Sequence, residues 1–222
     1  HISAPAEWAL ELLRRLQVPD EKLTLSRQGI RVPAALTVVR GAADRLRVVY
    51  VGRVEPAKGV HLLTRALHAL PHLPIELHVY GVVQGDAHAS YRRDLREDAA
   101  RDPRVQLHEP VAPDDVVATI APYDVLAAPS EQFETGPLVV LEAFAAGLPV
   151  IGTRLGGIAE LVEDGVNGLL VGRSSNGAWA EAFERLAEDP ALLARLRQGV
   201  RRPRSIEAVA DDMAAVYRKV AV

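Results

Sequence analysis

The sequence predicts an α/β fold: a parallel sheet of about six strands with helices on both faces, followed by closing helices. Three observations carry this. Short apolar runs rich in Val, Leu and Ile recur at 46–51, 75–80, 105–107, 125–128, 150–151 and 169–171. Helical stretches at 60–70, 88–100, 114–120 and 138–146 separate the first five runs. The runs are continuous rather than alternating, as expected for strands buried on both faces of a parallel sheet. Right-handed crossovers then make the domain Rossmann-like and doubly wound.

The chain begins differently. Trp8, Leu10, Leu12, Leu13 and Leu16 stand at helical spacing, so residues 5–17 predict a helix that Val18-Pro19-Asp20 ends. Residues 22–27 alternate weakly and predict a short strand, and 33–44 predict a connector. A short helical turn at 158–162 precedes the sixth strand, and helices at 176–187, 190–199 and 206–220 complete the chain. Two parts follow: 1–44 as helix, strand and connector, and 45–222 as a Rossmann-like domain with its closing helices.

Composition narrows the function. The 222 residues are 49% hydrophobic and 25% charged, with net charge −3, so no broad basic face for nucleic acid is implied. Cysteine is absent, which removes disulfides, thiolate metal sites and a Cys nucleophile. No apolar run approaches the roughly 20 residues of a membrane span. No secretory signal is visible, and the default location is cytoplasmic. The histidines at 1, 61, 68, 72, 78, 88 and 108 form no H-x-x-x-H or H-x-H pair, and read as surface or core residues with no metal site.

In such a sheet, ligands sit beyond the carboxyl ends of the strands. The loop after the first strand reads Gly52-Arg53-Val54-Glu55-Pro56-Ala57-Lys58-Gly59. Two cations flanking that turn can close on a diphosphate, Arg as a fork and Lys as a point charge. Taken alone, they fit solvated surface charges better. The spacing is neither a Walker A loop nor G-x-G-x-x-G, which argues against a dinucleotide cofactor. The loop after the second strand carries Gly81 and Gly85, compatible with close backbone approach or an ordinary turn.

The loop after the fourth strand, Pro129-Ser130-Glu131-Gln132-Phe133-Glu134-Thr135-Gly136-Pro137-Leu138, runs into a helix. Free amides at that helix start favour an anion. Glu134 precedes the helix and Glu142 lies within it, among Leu138, Val139, Val140, Leu141, Ala143 and Phe144. Carboxylates repel phosphate but match vicinal hydroxyls, so the pair suits ribose and hexose. The opposing reading makes both solvated surface groups. Few polar neighbours surround Glu142, so a partner is expected for it. Gly156-Gly157 after the fifth strand permits close approach to a ligand, although a plain turn fits better.

Together these motifs form a recognisable set. Gly52-Arg53-x4-Lys58-Gly59, Pro129-Ser130, Glu134-x7-Glu142-Ala143, Ala146-Gly147-Leu148-Pro149 and Gly156-Gly157-x2-Glu160 through Asn167-Gly168 occur in that order. The chain resembles glycosyltransferase family 4 of the GT-B fold from about residue 45 to the last helix. Residues 8–30 resemble the stretch that ends the family's N-terminal domain. The resemblance implies the C-terminal, donor-binding half of a retaining enzyme that takes a sugar from a nucleotide-diphosphate sugar without a cofactor or metal. It gives Arg53 and Lys58 to the diphosphate, Glu142 to the ribose and Glu134 to the donor hexose. The backbone around Thr135, Gly136 and Leu138 approaches the sugar and phosphates, with Gly52 and Gly81 among the donor-binding positions.

Departures from the family pattern shape what remains open. Leu107-His108-Glu109-Pro110 stands where a glycine is usual, which leaves the base contacts unassigned. Family members carry two Rossmann-like domains, and the N-terminal one, which serves the acceptor (a glycan, lipid or small molecule), has almost no counterpart here. The chain therefore reads as an excised or natural half, inactive or weak alone, with any peripheral membrane contact made through the other domain. Ile206, Val209, Met213, Val216, Tyr217 and Val220 form a stripe on the last helix that packs either on its own domain or on the other one. A stand-alone nucleotide- or sugar-phosphate-binding module without turnover is the competing reading. An epimerase or phosphorylase fits less well, given the Glu134-x7-Glu142 spacing and only Lys22, Lys58 and Lys219 to carry pyridoxal phosphate.

Overall fold

The computed structural model describes residues 1–31, 44–82 and 86–221. Among the described residues, eight strands run in chain order: β1 (Ile2–Ala4), β2 (Leu23–Leu25), β3 (Leu46–Arg53), β4 (Ile75–Val82), β5 (Val105–His108), β6 (Val125–Ala128), β7 (Val150–Thr153) and β8 (Gly168–Val171). The helices are α1 (Glu7–Arg15), α2 (Val60–His68), α3 (Ala89–Ala99), α4 (Val116–Ile120), α5 (Leu138–Ala145), α6 (Gly156–Leu161), α7 (Asn176–Glu188), α8 (Pro190–Gly199) and α9 (Ile206–Val220). The connector expected at 33–44 falls, except for Asp44, outside the described residues, as does Gly85.

Six strands form one all-parallel sheet in the order β5-β4-β3-β6-β7-β8. The strand order reverses between β3 and β6, so the crevice that doubly wound sheets use for ligands opens beyond those two strands. Two apolar layers cover the sheet. One joins Leu63 and Leu67 of α2 to Trp179, Phe183 and Leu186 of α7. The other joins Ile120, Val140, Phe144, Leu148 and Ile158. Trp179 and Phe183 are fully buried, which explains why α7 returns across the sheet to pack beside α2.

Each sheet strand falls on a predicted apolar run. Helices α1 to α5 are shorter than the periodicity suggests by one or two residues at an end, because the terminal turns tighten or fray, whereas α6 begins two residues earlier, α7 ends one later, and α8 and α9 match. Residues 113–115, for example, form a 3-10 turn ahead of α4. The three-residue strand β1 carries no periodic signal and exists because it pairs in parallel with β2, Ile2 opposite Leu23 and Ala4 opposite Leu25. The chain at Ile30 meets the entrance to α9, where Ile30 donates to the Arg204 carbonyl and Ile206 donates to the Ile30 carbonyl, both at 3.1 Å. The α9 stripe divides: Val209, Met213 and Val216 are half-buried, while Ile206, Tyr217 and Val220 are exposed.

Candidate functional site

The first loop is positioned by two glycines. Gly52 is the last residue but one of β3 and lies beside Gly81, its register partner on β4. A β-carbon at Gly52 would lie 2.9 Å from the Tyr50 hydroxyl, and that hydroxyl donates to the Arg53 carbonyl at 2.6 Å. Burial pushes the Tyr50 phenol well above its ordinary range, so it remains a donor. Gly59 adopts φ +70° at the start of α2, and a β-carbon there would meet the Pro129 carbonyl oxygen at 2.1 Å. A side chain is excluded on both conformational and steric grounds. This close approach brings Lys58 to the loop after β6, which is also tied down by the Glu131 N–H donating to the Ala57 carbonyl at 2.8 Å.

Arg53, Lys58, Ser130, Glu134, Gly136 and Leu138 line one cavity of about 290 Å³ beyond β3 and β6. Lys58 Nζ pairs with Glu134 Oε1, and Ser130 Oγ donates to that same oxygen at 2.7 Å. Arg53 pairs with Glu55 at 3.1 Å and is half-exposed. Both cations therefore rest on carboxylates that an entering anion must displace. The floor is the amino end of α5, where Pro137 stands at the cap position and no side chain caps the helix. Its first amides are left for an anion.

Glu142 faces the other side of Leu138. It lines a neighbouring cavity of about 490 Å³ with Ile30, Arg31, Asp114, Val117 and Leu138. Leu138 thus forms a wall common to both spaces and is 46% exposed. The partner expected for Glu142 is absent: no hydrogen bond or ion pair reaches its carboxyl among the described residues. Burial alone pushes that carboxyl up to about 7. Gly81 does not open on the cation-lined cavity; it meets Val54 and borders a space of about 340 Å³ with Arg92, His108 and Glu109. Thr135 turns toward Arg27, Gln28 and Leu161 at the back of the loop.

Several contributors escaped the sequence reading. Gly157 donates to the Glu134 carbonyl at 2.7 Å, and a β-carbon on Gly157 would sit 2.7 Å from that oxygen. The double glycine accordingly seats the acidic loop on α6, which spacing alone does not reveal. Trp8 donates its indole N–H to the same carbonyl at 3.0 Å. His78 and His108 stack with ring centroids 5.2 Å apart and ring nitrogens at 2.9 Å, a pair made by the β4–β5 register and invisible to local motifs.

Comparison with known proteins bears on this arrangement. A family model described as "Glycosyl transferases group 1" matches residues 45–189. The chain belongs to the group 1 glycosyl transferases. Curated relatives include D-inositol 3-phosphate glycosyltransferases of Corynebacterium glutamicum, 35% identical over 68% of this chain and 37% of that protein. The enzyme of that description from Rhodococcus erythropolis is 34% identical over 92% of this chain and 48% of its own length. The group 1 chain thus spans under half the length of these curated relatives. Among solved structures, Anabaena Alr3699/HepE in complex with UDP and glucose gives a TM-score of 0.86 at 21% identity, covering 98% of this chain and 63% of that one. Sucrose-phosphate synthase from Thermosynechococcus elongatus gives 0.83 at 25% identity, covering 98% and 57%. These neighbours establish the GT-B glycosyltransferase half-fold. No described helix is long and apolar enough to cross a membrane.

Proposed function

We propose that the chain is the donor-binding half of a retaining glycosyltransferase that takes a sugar from a nucleotide-diphosphate sugar. The observation that carries this is the meeting of Arg53, Lys58 and Glu134 in one cleft at the sheet's switch point, over an uncapped helix start. Arg53 and Lys58 bind the diphosphate, assisted by the backbone of Gly52 and the amides of Thr135, Gly136 and Leu138. Glu134 then exchanges Lys58 for hexose hydroxyls. Glu142, one side chain away across Leu138, accepts the ribose hydroxyls in the adjoining cavity. In the reaction, the bond from the anomeric carbon to the phosphate oxygen breaks and its electron pair leaves with the diphosphate. The acceptor oxygen adds on the same face and passes its proton to the departing phosphate oxygen. Developing charge on the leaving phosphate is met by the two fixed cations, so no metal or other cofactor is invoked.

Support comes from relatives that are themselves glycosyltransferases and from a fold neighbour solved with UDP and glucose. The acceptor, the N-terminal half and a cytoplasmic setting belong to the same proposal. Calorimetry with UDP, GDP and pyrophosphate tests it. Arg53→Ala and Lys58→Ala should each weaken nucleotide binding by about 1–3 kcal/mol, the range for hydrogen bonds to charged groups. Unchanged affinity in both variants would remove the diphosphate assignment. Binding without transfer after an N-terminal half is supplied would leave a nucleotide-sugar-binding module.

A further inference from the structure

The loop that carries Glu134 is held from behind, and the support comes from the opposite end of the sequence. The Glu134 carbonyl accepts the Trp8 indole N–H at 3.0 Å together with the Gly157 amide at 2.7 Å. The Trp8 ring also packs on Phe133, with centroids 4.9 Å apart and planes tilted by 49°. Gln28 lies directly against Gly136, where a β-carbon would come within 2.2 Å of its Oε1. Residues 133, 134 and 136 are thus each contacted by the segment that precedes the connector.

Trp8 is itself fixed. The Glu160 carboxylate accepts the N–H of Glu7 at 2.9 Å and of Trp8 at 2.8 Å, and pairs with Arg27 at 2.8 Å. Burial pushes the Glu160 carboxyl up, but these bonds outweigh it and hold the group below the usual carboxylate range. A carboxylate on the first amides of α1 also complements the helix dipole. The first turn of α1 is therefore anchored to α6, the same helix whose Gly157 supports Glu134.

We infer that Trp8 is a positioning residue for donor-sugar recognition, acting through the backbone of Glu134. A trans peptide is planar, so its C=O and the following N–H point in opposite directions. With the Glu134 carbonyl turned toward Trp8 and Gly157, the Thr135 N–H is directed away from them. No acceptor among the described residues takes that N–H. The indole hydrogen bond, with that of the Gly157 amide, consequently helps set both the root of the Glu134 carboxylate and the direction of the next amide. Residues 1–31 act as the rear wall of the sugar subsite. This rests on the assignment of Glu134 to the donor sugar.

The test uses the whole chain with Trp8→Phe, which keeps a ring against Phe133 and removes the N–H. Calorimetry compares UDP with UDP-glucose, and hydrogen exchange is followed without ligand. UDP affinity should stay within about twofold, while the extra affinity given by the sugar should fall by roughly two- to tenfold, as for one neutral hydrogen bond. Peptides covering 131–137 and Gly157 should exchange faster, and those covering β3 and β6 should not. Glu160→Gln, which loosens the anchor of α1 instead, should give the same pattern. Equal loss for UDP and UDP-glucose, or unchanged exchange in the loop, overturns the inference. If neither ligand binds the parent chain, the donor-site reading fails, and loop exchange alone still decides the role of Trp8.

Discussion

Replacing Glu142 with Gln separates the stability of the fold from its capacity to bind. The carboxyl is pushed from 4.5 up to about 7 by burial, with no compensating partner. A difference of that size corresponds to roughly 3 kcal/mol. Part of the side chain faces an open cavity, so solvent screening reduces the penalty to about 1–2 kcal/mol. The sign follows from proton binding. Below about pH 4.5 both folded and unfolded chains hold the proton, and ionisation costs nothing. Between 4.5 and about 7 only the folded chain keeps it, so stability falls as pH rises. Above about 7 the full penalty is present.

Glu142→Gln is neutral throughout. Relative to the parent, it should be near equal in stability at pH 4.5 and about 1–2 kcal/mol more stable at pH 8. Urea unfolding of both proteins across that range isolates the Glu142 contribution, because other titrations cancel in the difference. The same variant should bind UDP more weakly while leaving pyrophosphate affinity unchanged. Ribose hydroxyls favour the ionised form, so binding to the parent between pH 5 and 7 should release a fraction of a proton. That release is measurable by calorimetry in buffers of different ionisation enthalpy. A stability difference independent of pH, or equal losses for UDP and pyrophosphate, refutes the reasoning.

Two further outcomes are expected. Glu134→Gln frees Lys58 and removes a negative charge from the cleft; pyrophosphate should bind tighter, by up to about 2 kcal/mol, while UDP-glucose loses the sugar's contribution, both read by calorimetry. Asp124→Asn should cost about 2–4 kcal/mol in urea unfolding at pH 7, because Asp124 accepts from Arg47 Nε at 3.1 Å and Arg197 Nη2 at 2.6 Å. Burial pushes the Asp124 carboxyl up, yet those hydrogen bonds hold it below its ordinary value. The parent's advantage is therefore complete above about pH 3.9 and disappears as pH falls through the folded-state value.

Legibility in the sequence followed the range of the interactions. The sheet strands were readable because each is a continuous apolar run, and the order of loops then located the cleft. Arg53, Lys58 and Glu134 could be grouped because the rule that ligands sit beyond the carboxyl ends of the strands converts sequence order into a place. Lys58 and Glu134 do meet, although 76 residues separate them. Features made by one backbone resting on another were not readable. Gly156 and Gly157 look like an ordinary turn until Glu134 is found against them. Trp8 looks like one more apolar residue of an amphipathic helix, since its indole bond spans 126 residues. The expected partner of Glu142 shows a different limit: hydrophobic surroundings correctly indicated burial, but burial did not bring a partner.

The electrostatic economy of the cleft explains which ligands it can discriminate. Lys58 is neutralised by Glu134, and Arg53 by Glu55, so the cleft does not present two free cations. A bare phosphate that captures Lys58 leaves Glu134 with only the Ser130 hydroxyl, at a site where an unpaired carboxylate is costly. A ligand that carries hydroxyls next to its phosphates repairs that loss as it binds, because the hydroxyls donate to the carboxylate that Lys58 has left. Glu142 would add to the bias, since no partner among the described residues reaches its carboxyl. On the proposed donor reading, selectivity comes from the carboxylates, which a polyhydroxylated diphosphate would satisfy, and the cations supply the attraction common to all anions.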